Sequence, residues 1–218
     1  MKVTIIYDNT VLREDLKADW GFAALVEAHG KKILFDTGGS GSILLANMKA
    51  LAVDPRAIGD VFISHAHYDH TGGLSAFLDQ NRQVRVWVPP SFKGVTNVRE
   101  VVKMERPGRL YEGIFSTGEL EGVEQSLCVE TAEGIIVVAG CSHPPMGIIL
   151  DAASAFGPVY GIIGGFHSNR PETLKEMKLI CATHCTQYIA EIQSLYPDAY
   201  LEGGAGKVIA VGEDPGES

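Results

Sequence analysis

Three imidazoles and one carboxylate fall within the stretch His65-Ala66-His67-Tyr68-Asp69-His70. Imidazole and carboxylate are standard ligands for first-row metals, and such a density of them in one short segment has few other physical uses. The segment is read as a metal site whose missing ligands come from elsewhere in the chain. The preceding Asp60-Val61-Phe62-Ile63-Ser64 reads as a buried strand that delivers this loop at its C-terminal end. On extended backbone His65 and His67, two residues apart, point the same way, whereas Asp69 and His70 lie past the bend and can face a neighbouring position. One segment can then serve two metals. A pair of divalent ions roughly 3.5–4 Å apart can share a hydroxide, lower its pKa toward neutrality and polarise the bond it attacks.

The other histidines repeat the placement. Of seven in the chain, only His29 lies outside a loop that follows a strand-like run. His143 stands in Gly140-Cys141-Ser142-His143 after the apolar run 135–139, and His167 in Gly164-Gly165-Phe166-His167 after 159–163. His184 stands in Cys181-Ala182-Thr183-His184-Cys185. Singly, each is more simply a packed or surface histidine; their shared position argues for ligands. Cys141 and Cys185 lack the Cys-x-x-Cys spacing of a structural zinc site and read as small buried packing residues.

The elements that must position these residues follow from periodicity. A first strand is expected near residues 1–8, and its apolar part is too short for a signal-peptide core. Residues 22–27 and 32–35 flank His29-Gly30 and predict a hairpin. The hairpin ends at Asp36-Thr37-Gly38-Gly39, where Asp36 is either a turn residue or a partner that supports the site. Ser42 is expected to cap a helix over 43–51, with a short helical turn at Asp54-Pro55, a helix over 74–78 and a strand over 84–88. Residues 89–122 have no clean period, although 98–104 suits a helix. Strands are expected at 125–130 and 135–139 around Glu133-Gly134, and at 159–163, with a helix over 147–156. A helix opened by Pro171 is expected to run through Leu174, Met177 and Leu179. Another ends near residue 195, before strands near Tyr200 and at 208–211. Strands alternating with helices give an α/β class, and the hairpins call for mixed sheets. With no repeat, low-complexity tract or linker, residues 1–218 are expected to form one domain.

Composition bounds the partners. The chain is 45% hydrophobic and 21% charged, with no apolar run approaching the ~18 residues of a membrane span, so no membrane partner is expected. Four cysteines without framework spacing suit reduced thiols and a cytoplasmic location. The formal charge of −9 repels phosphodiester polymers, which favours a small molecule over nucleic acid. The densest basic segment carries Arg99, Lys103, Arg106 and Arg109, readable as solvated surface or as a wall that attracts an anionic substrate.

The motif His-x-His-x-Asp-His at residues 65–70 resembles the signature of the metallo-β-lactamase superfamily, as do the flanking Leu34-Phe35-Asp36-Thr37-Gly38 and Thr71-Gly72-Gly73-Leu74. The resemblance extends over essentially the whole chain. It implies a four-layer αββα sandwich of two mixed sheets, with two divalent transition metals at one edge, zinc first and iron or manganese as alternatives. It also implies that His65, His67 and His143 bind one metal and that Asp69, His70 and His184 bind the other. Many relatives add a bridging Asp after the third histidine motif, where this chain has His167, either a ligand or a contact to substrate or hydroxide. Asp69 and His167 are the candidate catalytic residues. The loops around His143, His167 and His184 are similar to the branch that includes the 7,8-dihydropterin-6-methyl-4-(β-D-ribofuranosyl)aminobenzene-5′-phosphate synthases. Gln187 and Ser168 depart from that branch's pattern, and the chain is short for it.

The expected function is a metal-dependent hydrolase, or a phosphate-displacing transferase, that uses a metal-bound hydroxide on a small anionic substrate. The alternative is di-iron redox or oxygen chemistry, against which stands His67, where those relatives usually carry Glu. A non-catalytic binder predicts broken ligands, and none is visibly broken. A nuclease would need a basic surface that the chain lacks.

Overall fold

Ile135-Ile136-Val137-Val138-Ala139 is apolar at every position because both faces of its strand are covered, a pattern typical of the interior of a layered α/β fold. The computed structural model describes residues 1–212, so the last part of the expected 1–218 domain lies outside the described residues. Six strands come first: β1 (Lys2–Tyr7), β2 (Ala23–Ala28), β3 (Lys31–Phe35), β4 (Asp60–Phe62), β5 (Arg85–Val88) and β6 (Glu100–Lys103). The second group is β7 (Gly108–Tyr111), β8 (Ile114–Ser116), β9 (Leu127–Thr131), β10 (Gly134–Ala139), β11 (Val159–Gly165) and β12 (Leu179–Thr183), and β13 (Val208–Ala210) returns to pair with β1.

The sheet orders are β13-β1-β2-β3-β4-β5-β6 and β12-β11-β10-β9-β8-β7. Each is antiparallel in one half and parallel in the other, the parallel pairs being β3-β4-β5-β6 and β10-β11-β12. Between the sheets lie Val3, Ile5, Phe35 and Phe62 from the first and Leu127, Val129, Ile136, Val138 and Ile163 from the second. The helices α1 (Gly41–Ala50) and α3 (Leu74–Gln80) cover the outer face of the first sheet through Leu44, Met48, Leu74 and Phe77. A single turn, α2 (Tyr68–Thr71), precedes α3. On the far side α4 (Met146–Ser154) and α5 (Ile189–Leu195) pack Ile149, Ala153 and Ile192 over Val137, Ile162 and Ile180. The result is the αββα sandwich that the motif resemblance implies.

Four local expectations are corrected. Residues 98–104 hold the edge strand β6, not a helix: parallel pairing of Glu100–Lys103 with Arg85–Val88 outweighs a weak helical spacing, and the charged ends suit an exposed edge. The helix opened by Pro171 stops after the 3₁₀ turn Pro171–Leu174, because Lys178 donates its N–H to the Tyr160 carbonyl at 2.8 Å and Leu179 already pairs in the sheet. The cap of α1 is Ser40, which makes no side-chain capping bond; Ser42 lies inside the helix. Near Tyr200 only an isolated bridge to Ile180 forms.

Two glycine-containing loops meet below the histidine segment. Thr37 donates its N–H and its hydroxyl to the His70 carbonyl at 2.7 and 2.9 Å, and Gly73 donates its N–H to the Gly38 carbonyl at 3.2 Å. A Cβ at Gly73 would run into the Thr37 carbonyl oxygen, which is backbone and cannot swing away. Gly73→Ala is therefore expected to destabilise the fold by about 1–3 kcal/mol, read as a lower urea midpoint with an unchanged slope.

Candidate metal centre

Every loop at this centre leaves the same end of the parallel strands, the end where open α/β sheets bind ligands. His65 and His67 follow β4, while Asp69 and His70 sit on the single turn α2. His143 follows β10, His167 follows β11 and His184 follows β12. The Asp8-Asn9 pair follows β1, and Asp36 follows β3.

The donor atoms gather in two adjacent groups. In the first, each of His65, His67 and His143 offers a ring nitrogen, all within 4.8 Å of one another. His65 Nε2 and His67 Nδ1 are 3.1 Å apart, and the His143 ring lies 4.6 and 4.8 Å from the rings of His65 and His67. In the second, Asp69, His70, Cys141 and His184 converge within the same 4.8 Å limit. His70 Nε2 lies 3.2 Å from His184 Nε2, and Asp69 Oδ2 lies 3.3 Å from His184 Nε2 and 3.7 Å from His70 Nε2. The rings of His65 and His70, one from each group, are 4.2 Å apart.

The outer nitrogens fix the tautomers. His70 Nδ1–H donates to Asp36 Oδ2 at 2.7 Å, and His65 Nδ1–H donates to Ser64 Oγ at 2.9 Å, whose own hydroxyl donates to Asp36 Oδ2 at 2.6 Å. His143 Nδ1–H donates to Glu124 Oε2, and His184 Nδ1–H to Asn9 Oδ1, at 2.9 and 3.0 Å. Burial pushes His65 and His70 down to about 3, because a charged imidazole is disfavoured away from water, so both rings are neutral. With Nδ1–H engaged by Asp36, the neutral His70 ring turns a bare Nε2 toward His184 Nε2 at 3.2 Å, a spacing that suits two ligands of one cation. Metal–nitrogen distances of ~2.0–2.1 Å separate neighbouring ligands by roughly 3–3.5 Å, so the residues present fit divalent metal ions.

Two buried carboxylates hold this frame. Burial would raise Glu124, but the His143 ring and the backbone N–H groups of Gly140, Cys141, Ser142 and His143 donate to it and hold it at about 2. Asp36 is wholly buried, and its desolvation pushes it up to about 7 against the hydrogen bonds from Ser64. Of the two readings open for Asp36, the structure supports the one in which it supports the site.

A family model for the metallo-β-lactamase superfamily matches residues 20–155. The chain belongs to the metallo-β-lactamase superfamily. It is similar to the 7,8-dihydropterin-6-methyl-4-(β-D-ribofuranosyl)-aminobenzene-5′-phosphate synthase of Methanocaldococcus jannaschii, 28% identical over an alignment of 260 residues that covers 86% of this chain and 88% of that protein. Among solved structures it is similar to a metal-dependent hydrolase of the β-lactamase superfamily, with a TM-score of 0.80 and 25% identity over 98% of this chain and all of that one. Human tRNase Z, short form, shares the fold at a TM-score of 0.67 and 16% identity, over 98% of this chain and 100% of that one. A metallo-β-lactamase superfamily chain thus has hydrolases and a synthase among its relatives, and the family binds divalent metals.

The structure brings six of the seven expected ligands into the two groups and leaves His167 outside both. His167 adopts a left-handed backbone with φ 46° and stands half-buried at the rim, its ring 5.2 Å from that of His143. Four supporting residues were missed from sequence. Asn9 has the same position after a strand as the histidine loops, which was a usable signal. Glu124 carries no local signature. Trp20, half-exposed at 50%, donates its indole N–H to Asp69 Oδ2 at 2.9 Å and lies 4.9 Å from the His184 ring. Cys141, read from sequence as packing, points its sulfur at His70 Nε2 from 3.1 Å. The basic segment gives no built anion site: Arg109 is paired with Glu112 on open surface.

Because Asp36 orients one imidazole in each group and Glu124 only His143, their substitutions separate. Asp36→Asn is expected to weaken binding of both metals by about 10–100-fold, and Glu124→Gln, whose amide oxygen can still accept from the Gly140–Ser142 N–H groups, to weaken chiefly the equivalent held by His143 by a similar factor. Metal titration of the apo variants against a chromophoric chelator checks both.

Proposed function

We propose that the chain is a metal-dependent hydrolase, or a transferase that displaces phosphate, acting on a small anionic molecule at a dinuclear centre. The observation that carries this reading is the pair of adjacent groups of converging donors: His65, His67 and His143 beside Asp69, His70 and His184. When bound, two divalent ions, zinc first, supply Lewis acidity and acidify water. The residues of the chain orient that chemistry. Asp36 and Ser64 fix His65 and His70, Glu124 fixes His143, and Asn9 fixes His184, so the donor lone pairs need no rearrangement during turnover. Asp69 takes the role of the carboxylate nearest the reacting atoms, and Trp20 holds its Oδ2 in place. His167, at the rim beside His143, takes the role of a substrate contact instead of a bridging ligand.

The synthase relative, whose name specifies a 5′-phosphate, supports a phosphate-bearing substrate and the transferase variant of the reading. The charge of −9 supports a small molecule over nucleic acid, since anion attraction on this chain would come from bound cations and not from a basic surface.

Elemental analysis of the purified protein, combined with a panel of phosphoesters, lactones and thioesters, tests the reading. Two equivalents of divalent metal and turnover of one bond class are expected. His67→Ala and His143→Ala are each expected to lower kcat/KM by about 100-fold or more with loss of bound metal. Unchanged metal content and turnover in both variants would falsify the mechanism. A coloured, iron-loaded and reducible protein would move the assignment to redox chemistry.

A further inference from the structure

We propose that Cys141 binds the second metal as a thiolate, completing a four-donor set with Asp69, His70 and His184. This deepens the dinuclear reading and rests on it. The Cys141 sulfur is 3.1 Å from His70 Nε2, and its ligand atom belongs to the same 4.8 Å group as those of the other three residues. Metal–sulfur and metal–nitrogen distances of about 2.3 and 2.0–2.1 Å place such a pair roughly 3–3.6 Å apart on one ion. A thiol hydrogen bond to His70 would satisfy one lone pair only. It would leave His184 Nε2 facing His70 Nε2 at 3.2 Å, whereas one cation satisfies every donor at once.

The backbone is built to aim this sulfur inward. Gly140, Cys141 and Ser142 donate their N–H groups to Glu124 Oε1 at 3.1, 2.9 and 3.0 Å. Ser142 turns with φ 56°, and its hydroxyl donates to the Gly165 carbonyl at 2.7 Å. Cys141 is 3% exposed, while Cys185 is more open and its sulfur lies 3.7 Å from the Cys141 carbonyl, outside the donor group. Of the two readings open for His167, this assignment favours the substrate contact, with Cys141 supplying the further donor. Metal binding would release the thiol proton to water, with no other bond made or broken. The two sites become chemically distinct: three neutral imidazoles hold the first, whereas a carboxylate and a thiolate join two imidazoles at the second. A sulfur donor favours zinc, cobalt or ferrous iron there over magnesium or manganese.

The test is titration of the full-length apo protein with cobalt(II) chloride, following near-ultraviolet absorption and bound cobalt per chain. Wild type and Cys185→Ser are expected to bind two equivalents and to develop a thiolate-to-cobalt charge-transfer band with one of them. Cys141→Ser is expected to lose the band and to bind that equivalent at least roughly tenfold more weakly. If Cys141→Ser fails to fold, X-ray absorption of the zinc-loaded wild type decides, with one sulfur per two zinc ions expected. Two bound cobalt ions without a thiolate band, or a band that survives in Cys141→Ser, overturn the thiolate assignment and leave the dinuclear reading standing. One equivalent with the band supports Cys141 and removes the dinuclear reading; no bound cobalt removes both.

Discussion

Asp36 touches neither donor group from its inner side, yet its two oxygens hold the Ser64 amide, the Ser64 hydroxyl and His70 Nδ1 at 2.7, 2.6 and 2.7 Å. Through Ser64 it also fixes His65, so one carboxylate sets an imidazole of each group. Its place follows from topology. Parallel pairing of β3 with β4 puts Phe35 beside Phe62, and the next residues on each strand bring residue 36 beneath the start of the histidine loop. A carboxylate with no exposure is costly to ionise, and no lysine or arginine pairs with it among the described residues. Ionised Asp36 is favoured when positive charge sits on the far side of the His70 ring, so orientation of the ligands and occupancy by a cation support each other.

The same economy governs the other loops. Asp36, Ser142, His167 and His184 all have positive φ, at 52°, 56°, 46° and 51°, although none is glycine. A left-handed residue costs roughly 1–2 kcal/mol, and such strain persists only where the surroundings over-determine it. Here the turns at Asp36, Ser142 and His167 directly or nearly follow a strand paired on both sides, and that at His184 follows the edge strand β12. The sheets hold the strand ends rigidly, and the short turns swing polar side chains from the sandwich edge to a common point. Hydrogen bonds from four consecutive N–H groups to the Glu124 carboxylate hold the His143 loop after β10 in the same way.

Much of this was legible in the chain because the informative features were local. The histidine segment carries its own chemistry within a few residues, and the hairpin, the apolar run before His143 and the strand before His167 have unambiguous periods. The strand β6 and the break after Leu174 were not legible, since both depend on pairing with strands distant in sequence. Asp36 lay in a recognisable turn, but a turn aspartate and a ligand-orienting aspartate look alike until its neighbours are known. Glu124 and Trp20 gave no signal, because their partners, His143 and Asp69, are brought to them only by the pairing of strands within each sheet. Cys141 and His167 could not be told apart from sequence for a related reason. Both follow parallel strands, and spacing says which residues reach the sandwich edge but not which side chain turns inward. The left-handed turn at His167 leaves its ring at the rim, whereas the Glu124 cradle directs Cys141 to the interior.

The electrostatics link the centre to the character of the whole molecule. Asp36, Asp69 and Glu124 are each less than a tenth exposed, and among the described residues their ionic partners are imidazoles, not lysine or arginine. One of those imidazoles, His70, is held neutral by burial, as is the neighbouring His65. A cluster of buried carboxylates without lysine or arginine partners is unstable as it stands, because ionised groups without compensation cost several kcal/mol each. Divalent cations are the compensation that the geometry accepts, since the lone pairs already point inward. They would also reverse the sign of the local potential on a chain of net charge −9, making the metal centre a strongly attractive place for an anion. Substrate attraction and fold stability at this edge of the sandwich would then draw on the same ions.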